Sequence, residues 1–154
     1  MPEFTAPGRG RESNLVEVDV EVGEKASGVV YALGGSGGGL CLFMDEGRLG
    51  YLYNMMIIEQ YEGRTPEPLP PGKHAIRVTT RIPGPGKPGT VTVAVDGKEA
   101  FRVALVRTVP AAFTASESLD VGVDLGSMVS AVHHPRRPFA FEGTIGTMKV
   151  RLGE

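Results

Sequence analysis

Apolar and polar residues alternate one by one along several short segments of this chain. In residues 15–22, valines occupy every second position and mostly acidic residues lie between them. Alternation with a period of two is typical of a β-strand that has one buried face and one face in solvent. Residues 73–82 and 90–95 repeat the pattern. The latter places three valines on one face, which we expect to be buried together: Val91, Val93 and Val95.

Turn residues separate these segments and predict how the strands connect. Asp96-Gly97 predicts a two-residue type I′ hairpin turn, because both central residues of that turn need a positive φ. Prolines and glycines in residues 66–72 and 83–89 predict irregular connections, since proline donates no ladder hydrogen bond. The other expected strands are residues 28–33, 40–44, 48–53, 98–106, 119–123 and 141–152, with 55–61 extending the meander, a short strand at Phe113 and a bulge near Gly146.

No segment shows ten residues of helical period. About ten or eleven short strands separated by turns predict an all-β fold, namely a two-sheet antiparallel β-sandwich or jelly roll. The chain has 154 residues, including 22 glycines and 12 prolines, and this length is enough to bury one core without disulfides. We therefore expect a single domain over residues 14–154, preceded by a flexible N-terminal segment, residues 1–13.

Charge and hydropathy argue against several classes of partner. The formal net charge is −2, with acids and bases interspersed, so no basic face is available for nucleic acid. No apolar run approaches the roughly 20 residues that span a bilayer, and the polar residues 1–13 do not resemble a signal peptide. We expect no nucleic-acid or membrane partner and a cytoplasmic location by default. The single cysteine excludes an internal disulfide.

The glycine-rich run and the cysteine are the first candidates for chemistry. Residues 34–39 lack the following Lys-Ser/Thr pair and helix that a phosphate-binding loop requires, so we interpret them as a loop between strands. Cys41 lies between Leu40 and Leu42 in an apolar segment with no base to lower its pKa, which predicts a buried structural thiol. We expect no catalytic residue and no organic cofactor.

Histidines and acidic residues are the candidates for a metal site. His133 and His134 are adjacent, so on an extended backbone they point to opposite sides and do not easily share a metal. His74 completes the histidine inventory. Asp120 and Asp124 lie in a glycine-containing segment, where carboxylates can bind calcium; ordinary turn-forming aspartates are the alternative. The chain has no tryptophan and four tyrosines, so aromatic faces for sugar stacking are scarce.

A set of short segments occurs in one order over nearly the whole chain. They are GVVYALGG at 28–35, YN at 53–54, PLPPGKH at 68–74, GKPGT at 86–90, DGK at 96–98, RTVP at 107–110, DVGVD at 120–124 and FEGTI at 141–145. Together they resemble the C-terminal module of bacterial arylsulfatases. The resemblance implies a concanavalin-like or laminin-G-like jelly roll without an active site, packed beside a sulfatase-type catalytic domain.

The resemblance includes no catalytic part of a sulfatase. Those enzymes form their catalytic aldehyde from a Cys or Ser followed by x-Pro-x-Arg, whereas Cys41 is followed by LFMD. The sequence therefore favours a non-catalytic accessory module that packs on a catalytic domain or partner chain, or that forms a homodimer when isolated. The alternative is a lectin-like, carbohydrate-binding sandwich, with calcium at Asp120 and Asp124 assisting. An enzyme in its own right would need a convergent cluster of titratable groups.

Overall fold

A computed structural model describes residues 13–35, 38–55, 59–84, 86–109, 118–122, 129 and 139–152. Over these residues the chain forms ten β-strands and no helix, so no helix there is long and apolar enough to cross a membrane. The strands are β1 (Asn14–Val22), β2 (Gly28–Gly35), β3 (Gly38–Asp45), β4 (Arg48–Met55), β5 (Glu59–Arg64), β6 (Gly72–Arg81), β7 (Gly89–Val95), β8 (Lys98–Leu105), β9 (Ser118–Val121) and β10 (Gly143–Leu152).

The ten strands form two five-stranded sheets. The first sheet has the order β10-β1-β6-β7-β8, and the second sheet has the order β5-β4-β3-β2-β9. Every neighbouring pair in both sheets is antiparallel. Apolar residues from one face of each sheet fill the space between them, as sheet-on-sheet packing requires. The predicted two-sheet antiparallel β-sandwich is confirmed.

The two terminal strands lie side by side, as the alternation in both segments suggests. Val16 pairs with Val150, and the register shifts between Val18 and Val20, whose partners are Met148 and Ile145. The extra residue on β10 is a β-bulge beside Gly146. The bulge predicted near Gly146 is confirmed, and the first and last strands pair, as terminal strands commonly do.

The turn between β7 and β8 has the backbone that its residue types demand. Asp96 has a φ of 53° and Gly97 a φ of 82°, which fits the type I′ turn predicted for this pair. The turn between β3 and β4 repeats the arrangement with Glu46 at 50° and Gly47 at 82°. These turns fix the register of both hairpins.

The three valines of β7 are not buried equally. Val91 and Val93 are fully buried in the core between the sheets, whereas Val95 is only partly buried and packs against that core. Val95 is the last residue of the strand, next to the exposed Asp96-Gly97 turn. The prediction that all three valines are buried is therefore right for two of them and wrong for Val95.

A second apolar cluster lies on the outer face of the second sheet. It consists of Val29, Ala32, Cys41, Phe43, Leu52, Val129 and Phe139. In β3 these side chains alternate with Leu40, Leu42 and Met44, which face the core between the sheets. Residues 40–44 are continuously apolar because both of their faces are covered. Cys41 is fully buried, as predicted.

Some expected boundaries are wrong. The run 34–39 is not all loop: β2 extends to Gly35 and β3 begins at Gly38, and a Cβ on Gly34 would lie 2.3 Å from the carbonyl oxygen of Gly38. The close approach of two glycine backbones lets the ladder continue where a loop was expected. β5 extends the meander beside β4, as expected for 55–61, but it ends at Arg64 rather than Tyr61; residues 56–58 lie outside the described residues. Residues 1–12 and Phe113 lie outside the described residues.

Candidate functional site

The outer face of the first sheet is polar, in contrast to the apolar outer face of the second sheet. Side chains of β1 that alternate with its buried valines point outward, away from the core. Residues paired across two antiparallel strands project on the same side of the sheet. In register on β6, Arg77 lies opposite Glu17, Ala75 opposite Asp19, and Lys73 opposite Glu21. This face therefore carries a ribbon of mixed charge across its central strands.

Three neighbouring cavities lie along this face and form what we call the outer groove. The first has a volume of about 520 Å³ and is lined in part by Asp19, Ala75 and Lys73. The second, of about 220 Å³, shares Asp19 and Ala75 with the first. The third, of about 280 Å³, shares Arg77 with the second. The outer groove thus follows β1 and β6 along most of their length.

Small residues create the depth of the outer groove. Ala75 on β6, Ala94 on β7 and Gly146 at the β10 bulge line it, among charged residues that are much longer. Ala75 is exposed even though it lies on a central strand. A large side chain at this position would fill the groove without entering the core.

Several charged side chains in the outer groove have no partner among the residues that the structure describes. Among the described residues, Asp19, Glu21 and Lys73 make no side-chain hydrogen bond or ion pair. Some charged residues elsewhere pair with one another, as Arg64 does with Asp45 at 3.3 Å. The three groove side chains therefore keep their hydrogen-bonding capacity for solvent or for a ligand.

One end of the outer groove is closed by a buried histidine. His74 Nδ1 lies 2.7 Å from Asp96 Oδ2, and its Nε2 lies 2.6 Å from the carbonyl oxygen of Pro70. The other Asp96 oxygen, Oδ1, accepts a hydrogen bond of 2.8 Å from the backbone N–H of Ala75. This set of contacts, the His74 clamp, ties the start of β6 to the β7–β8 turn and to the proline-rich connection before β6.

Both ring nitrogens of His74 face acceptors, so the geometry favours the doubly protonated imidazolium. A carbonyl oxygen only accepts, and so does an ionised carboxylate. Burial alone would lower the pKa of His74, but the hydrogen bonds to Pro70 and Asp96 and the charge of Asp96 outweigh it and raise that pKa. The hydrogen bonds from Ala75 and His74 in turn lower the pKa of Asp96.

The sequence alone predicts no role for His74, which is one of three histidines. The signal that identifies it is the alternation itself, since His74 falls on the same face of β6 as the buried Ile76 and Val78. A histidine at a buried position needs polar partners. Its partner Asp96 was assigned only as a turn residue, because sequence spacing does not show which strand end meets that turn.

The predicted calcium ligands lie apart from the outer groove. Asp120 is on β9, the edge strand of the second sheet, opposite Ala32, and is 9% exposed. Asp124, His133 and His134 lie outside the described residues. No group of three or more potential metal-ligating side chains occurs among the residues that the structure describes. A calcium site at Asp120 and Asp124 stays a prediction.

The tyrosines do not form a sugar-stacking surface. Tyr31, Tyr51 and Tyr53 are at most 1% exposed and belong to the core between the sheets. Tyr61 is partly buried, and its ring lies 6.3 Å from that of Tyr53. None of the described residues that line the outer groove is aromatic. A ligand in the groove would be held by polar contacts rather than by ring stacking.

Comparison of the structure with solved proteins finds strong likeness in fold at low sequence identity. Mouse laminin α1 chain domains LG4-5 match with a TM-score of 0.71 and 18% identity, over 99% of this chain and 38% of that one. The CBM40 of the Ruminococcus gnavus IT-sialidase, bound to α2,3-sialyllactose, matches with a TM-score of 0.66 and 12% identity, over 99% of this chain and 86% of that one. Sheep galectin-11 in complex with glycerol matches with a TM-score of 0.53 and 10% identity, over 90% and 89%.

Sequence comparisons find no family and no curated relative. No family model matches the chain, and no curated protein matches it. The structural matches support the concanavalin-like part of the resemblance, whereas nothing in these comparisons supports a relation to arylsulfatases. The sandwich therefore has the jelly-roll fold of the laminin G-like and CBM40 structures.

Proposed function

We propose that this protein is a non-catalytic, carbohydrate-binding β-sandwich module and that its ligand lies in the outer groove. The observation that carries the proposal is a polar groove with a floor of small residues and three charged side chains without internal partners, Asp19, Glu21 and Lys73. Two matched structures support it, because the CBM40 is bound to α2,3-sialyllactose and the galectin is in complex with glycerol.

The chemistry of the outer groove suits a molecule rich in hydroxyl groups. Carboxylates such as those of Asp19 and Glu21 accept hydrogen bonds from hydroxyls, and the ammonium of Lys73 donates to hydroxyl oxygens. The small side chain of Ala75 lets a sugar ring approach the sheet.

The residues of the groove favour binding over catalysis. Both nitrogens of His74 are engaged, by Asp96 and Pro70, so the ring has no free lone pair to act as a base. Cys41 is fully buried under the apolar cluster of the second sheet, far from being an accessible nucleophile. We therefore assign the polar side chains of the groove to recognition.

A packing role beside a sulfatase-type domain is the less supported candidate. A module that packs on a catalytic domain is expected to expose a contiguous apolar surface. In the described residues the exposed large apolar side chains are Val106, Val121 and Leu152. They follow or lie on three different edge strands, β8, β9 and β10. Self-association of the isolated chain stays a prediction, which light scattering at high concentration tests.

A glycan array followed by titration of the best ligand tests the proposal. The variant Ala75→Phe places a large ring on the groove floor and is expected to abolish binding, while the matched variant Ala104→Phe is expected to bind like wild type. Ala104 is exposed on β8 of the same sheet and does not line the groove. Equal binding by both variants, or no binding to any glycan, would overturn the proposal. Added calcium and EDTA in parallel test whether binding is calcium-assisted.

A further inference from the structure

Charge is distributed unevenly along the outer groove. The end near the β7–β8 turn is lined by the carboxylates of Asp19, Glu21 and Asp96, which outnumber the cations Lys73 and His74 there. The opposite end, which is the third cavity, is lined by Arg77 and Arg81 and by no acidic residue among the described residues. The groove is therefore acidic at one end and basic at the other.

Strand β10 adds to the positive charge of the basic end. Arg151 lies opposite Leu15, and Lys149 lies opposite Glu17. Because paired residues project on the same side of a sheet, both cations belong to the outer face. Leu15 lines the third cavity, so Arg151 lies beside it. Positive charge thus surrounds this end from β6 and from β10.

Of the two arginines that line the third cavity, Arg81 is the one that is free to bind a ligand. Arg77 already has a partner, since its guanidinium lies 3.7 Å from Glu17 in an exposed pair. Arg81 makes no side-chain hydrogen bond or ion pair among the described residues, and it is exposed at the end of β6. A free guanidinium presents paired N–H donors that match a carboxylate or a sulfate.

The two ends are far enough apart to act separately. Residues 73 and 81 of β6 are eight positions apart, which corresponds to about 27 Å of extended strand. This exceeds the Debye length of about 8 Å at physiological ionic strength, so salt screens each end from the other. A ligand that spans the groove therefore meets two distinct electrostatic environments.

We propose that the outer groove selects an acidic oligosaccharide and orients it, with a carboxylate or sulfate substituent at Arg81 and uncharged hydroxyls at Asp19 and Glu21. The inference rests on the proposed function, and it names the class of glycan and its direction. The reverse direction places the anion beside Asp19 and Glu21, whose two negative charges outweigh the single positive charge of Lys73. Electrostatic complementarity of this kind fixes the register of a bound ligand.

The test compares oligosaccharides that share one backbone and differ in a single substituent: neutral, carboxylated or sulfated. Wild-type protein is expected to bind at least one acidic form about tenfold more tightly than the neutral form, and R81Q is expected to lose most of that ratio. R102Q, which removes an equal charge from an Arg on the same sheet outside the groove, is expected to keep it. Whether the carboxylated or the sulfated form binds more tightly identifies the anion that Arg81 recognises.

Three results would count against these proposals, and they are distinguishable. Equal affinity for neutral and acidic forms would overturn the inference while leaving carbohydrate binding in place. An acidic preference that survives R81Q would also overturn it, because the anion would then lie elsewhere. Absence of binding to every form would instead contradict the proposed function itself.

Discussion

His74 and Asp96 are joined by a contact of 2.7 Å between the ring Nδ1 and the carboxylate Oδ2, at the point where β6 starts and β7 turns into β8. The Pro70 carbonyl holds the other ring nitrogen. One buried imidazolium therefore fastens three separate segments of the chain. The clamp also forms the wall at the acidic end of the outer groove.

The clamp makes stability depend on pH. The pKa of His74 in the folded chain is raised above its ordinary value of 6.5, so its contribution is fully present below about pH 6.5. It is lost as pH rises through the raised pKa. We expect the free energy of unfolding of wild type to fall over this range, as measured by urea denaturation at a series of pH values.

Asp96→Asn is the matched variant for this measurement. Its side chain retains an acceptor for the Ala75 N–H but loses the charge that favours the protonated ring. We expect D96N to be less stable than wild type at pH 6 by about 1–3 kcal/mol, with the gap narrowing at higher pH. The other charged residues of the groove are the same in both proteins, so their contributions cancel in the difference between the two unfolding free energies. A gap that is constant or widens with pH would contradict the clamp.

A second prediction concerns the buried tyrosine hydroxyl. Tyr53 accepts a hydrogen bond of 2.9 Å from the backbone N–H of Val109, which is 1% exposed. Tyr53→Phe leaves that buried N–H without its partner, and we expect a loss of about 1–3 kcal/mol in unfolding free energy. Tyr61→Phe is the comparison, because Tyr61 accepts from the more exposed Arg107 N–H at 3.1 Å and donates to Glu59, and both partners keep access to water. We expect Tyr61→Phe to lose no more than about 0.5 kcal/mol in unfolding free energy. Equal losses in the two variants would show that the Val109 N–H is no more buried than the Arg107 N–H.

A third prediction concerns Gly28, the first residue of β2. Its φ is +122°, and a Cβ there would lie 2.2 Å from the carbonyl oxygen of Ala140. Alanine therefore meets both a backbone clash and an unfavourable φ, and we expect Gly28→Ala to destabilise by about 2–4 kcal/mol. Gly23→Ala is the control, since a Cβ at Gly23 meets nothing within 4 Å. Similar thermal unfolding of both variants would show that this close approach is absent in solution.

A fourth prediction concerns sulfate ester hydrolysis. The chain lacks the Cys/Ser-x-Pro-x-Arg motif after Cys41, and that thiol is fully buried. We expect purified protein to show background turnover of a nitrophenyl sulfate, with or without calcium. Turnover above background that disappears in Cys41→Ala would overturn both the binding assignment and the structural role of the thiol.

Local sequence patterns were enough to predict most of the sandwich. A period of two identifies a half-buried strand such as β1, and Asp96-Gly97 identifies the turn between β7 and β8. Both signals depend only on residues that are neighbours in the sequence. The alternation of apolar and polar residues is less informative where tertiary contacts determine which faces of a strand are buried. Residues 40–44 are apolar on both faces because Val129 and Phe139 cover the outer side of the second sheet, and no local signal shows that covering.

The candidate site could not be predicted in the same way. An outward Asp19 or Lys73 looks like any solvated strand residue until the register places them on one face with Ala75 between them. The glycine-rich run and the cysteine are more conspicuous candidates in the sequence. In the structure, however, Cys41 packs in the apolar cluster of the second sheet, and Gly34 pairs with Gly39 between β2 and β3. The groove arises from β1, β6, β7 and β10, of which only β6 and β7 are consecutive in the chain.

The most direct test of the central claim is a titration of ¹⁵N-labelled protein with the best glycan, followed by amide chemical shifts. Binding in the outer groove predicts concentration-dependent shifts at Asp19, Ala75 and Thr144, and none at Leu42 or Tyr51 in the second sheet. Shifts that cluster on the second sheet or on the strand edges, with the groove amides unchanged, would contradict the assignment of the ligand to this groove.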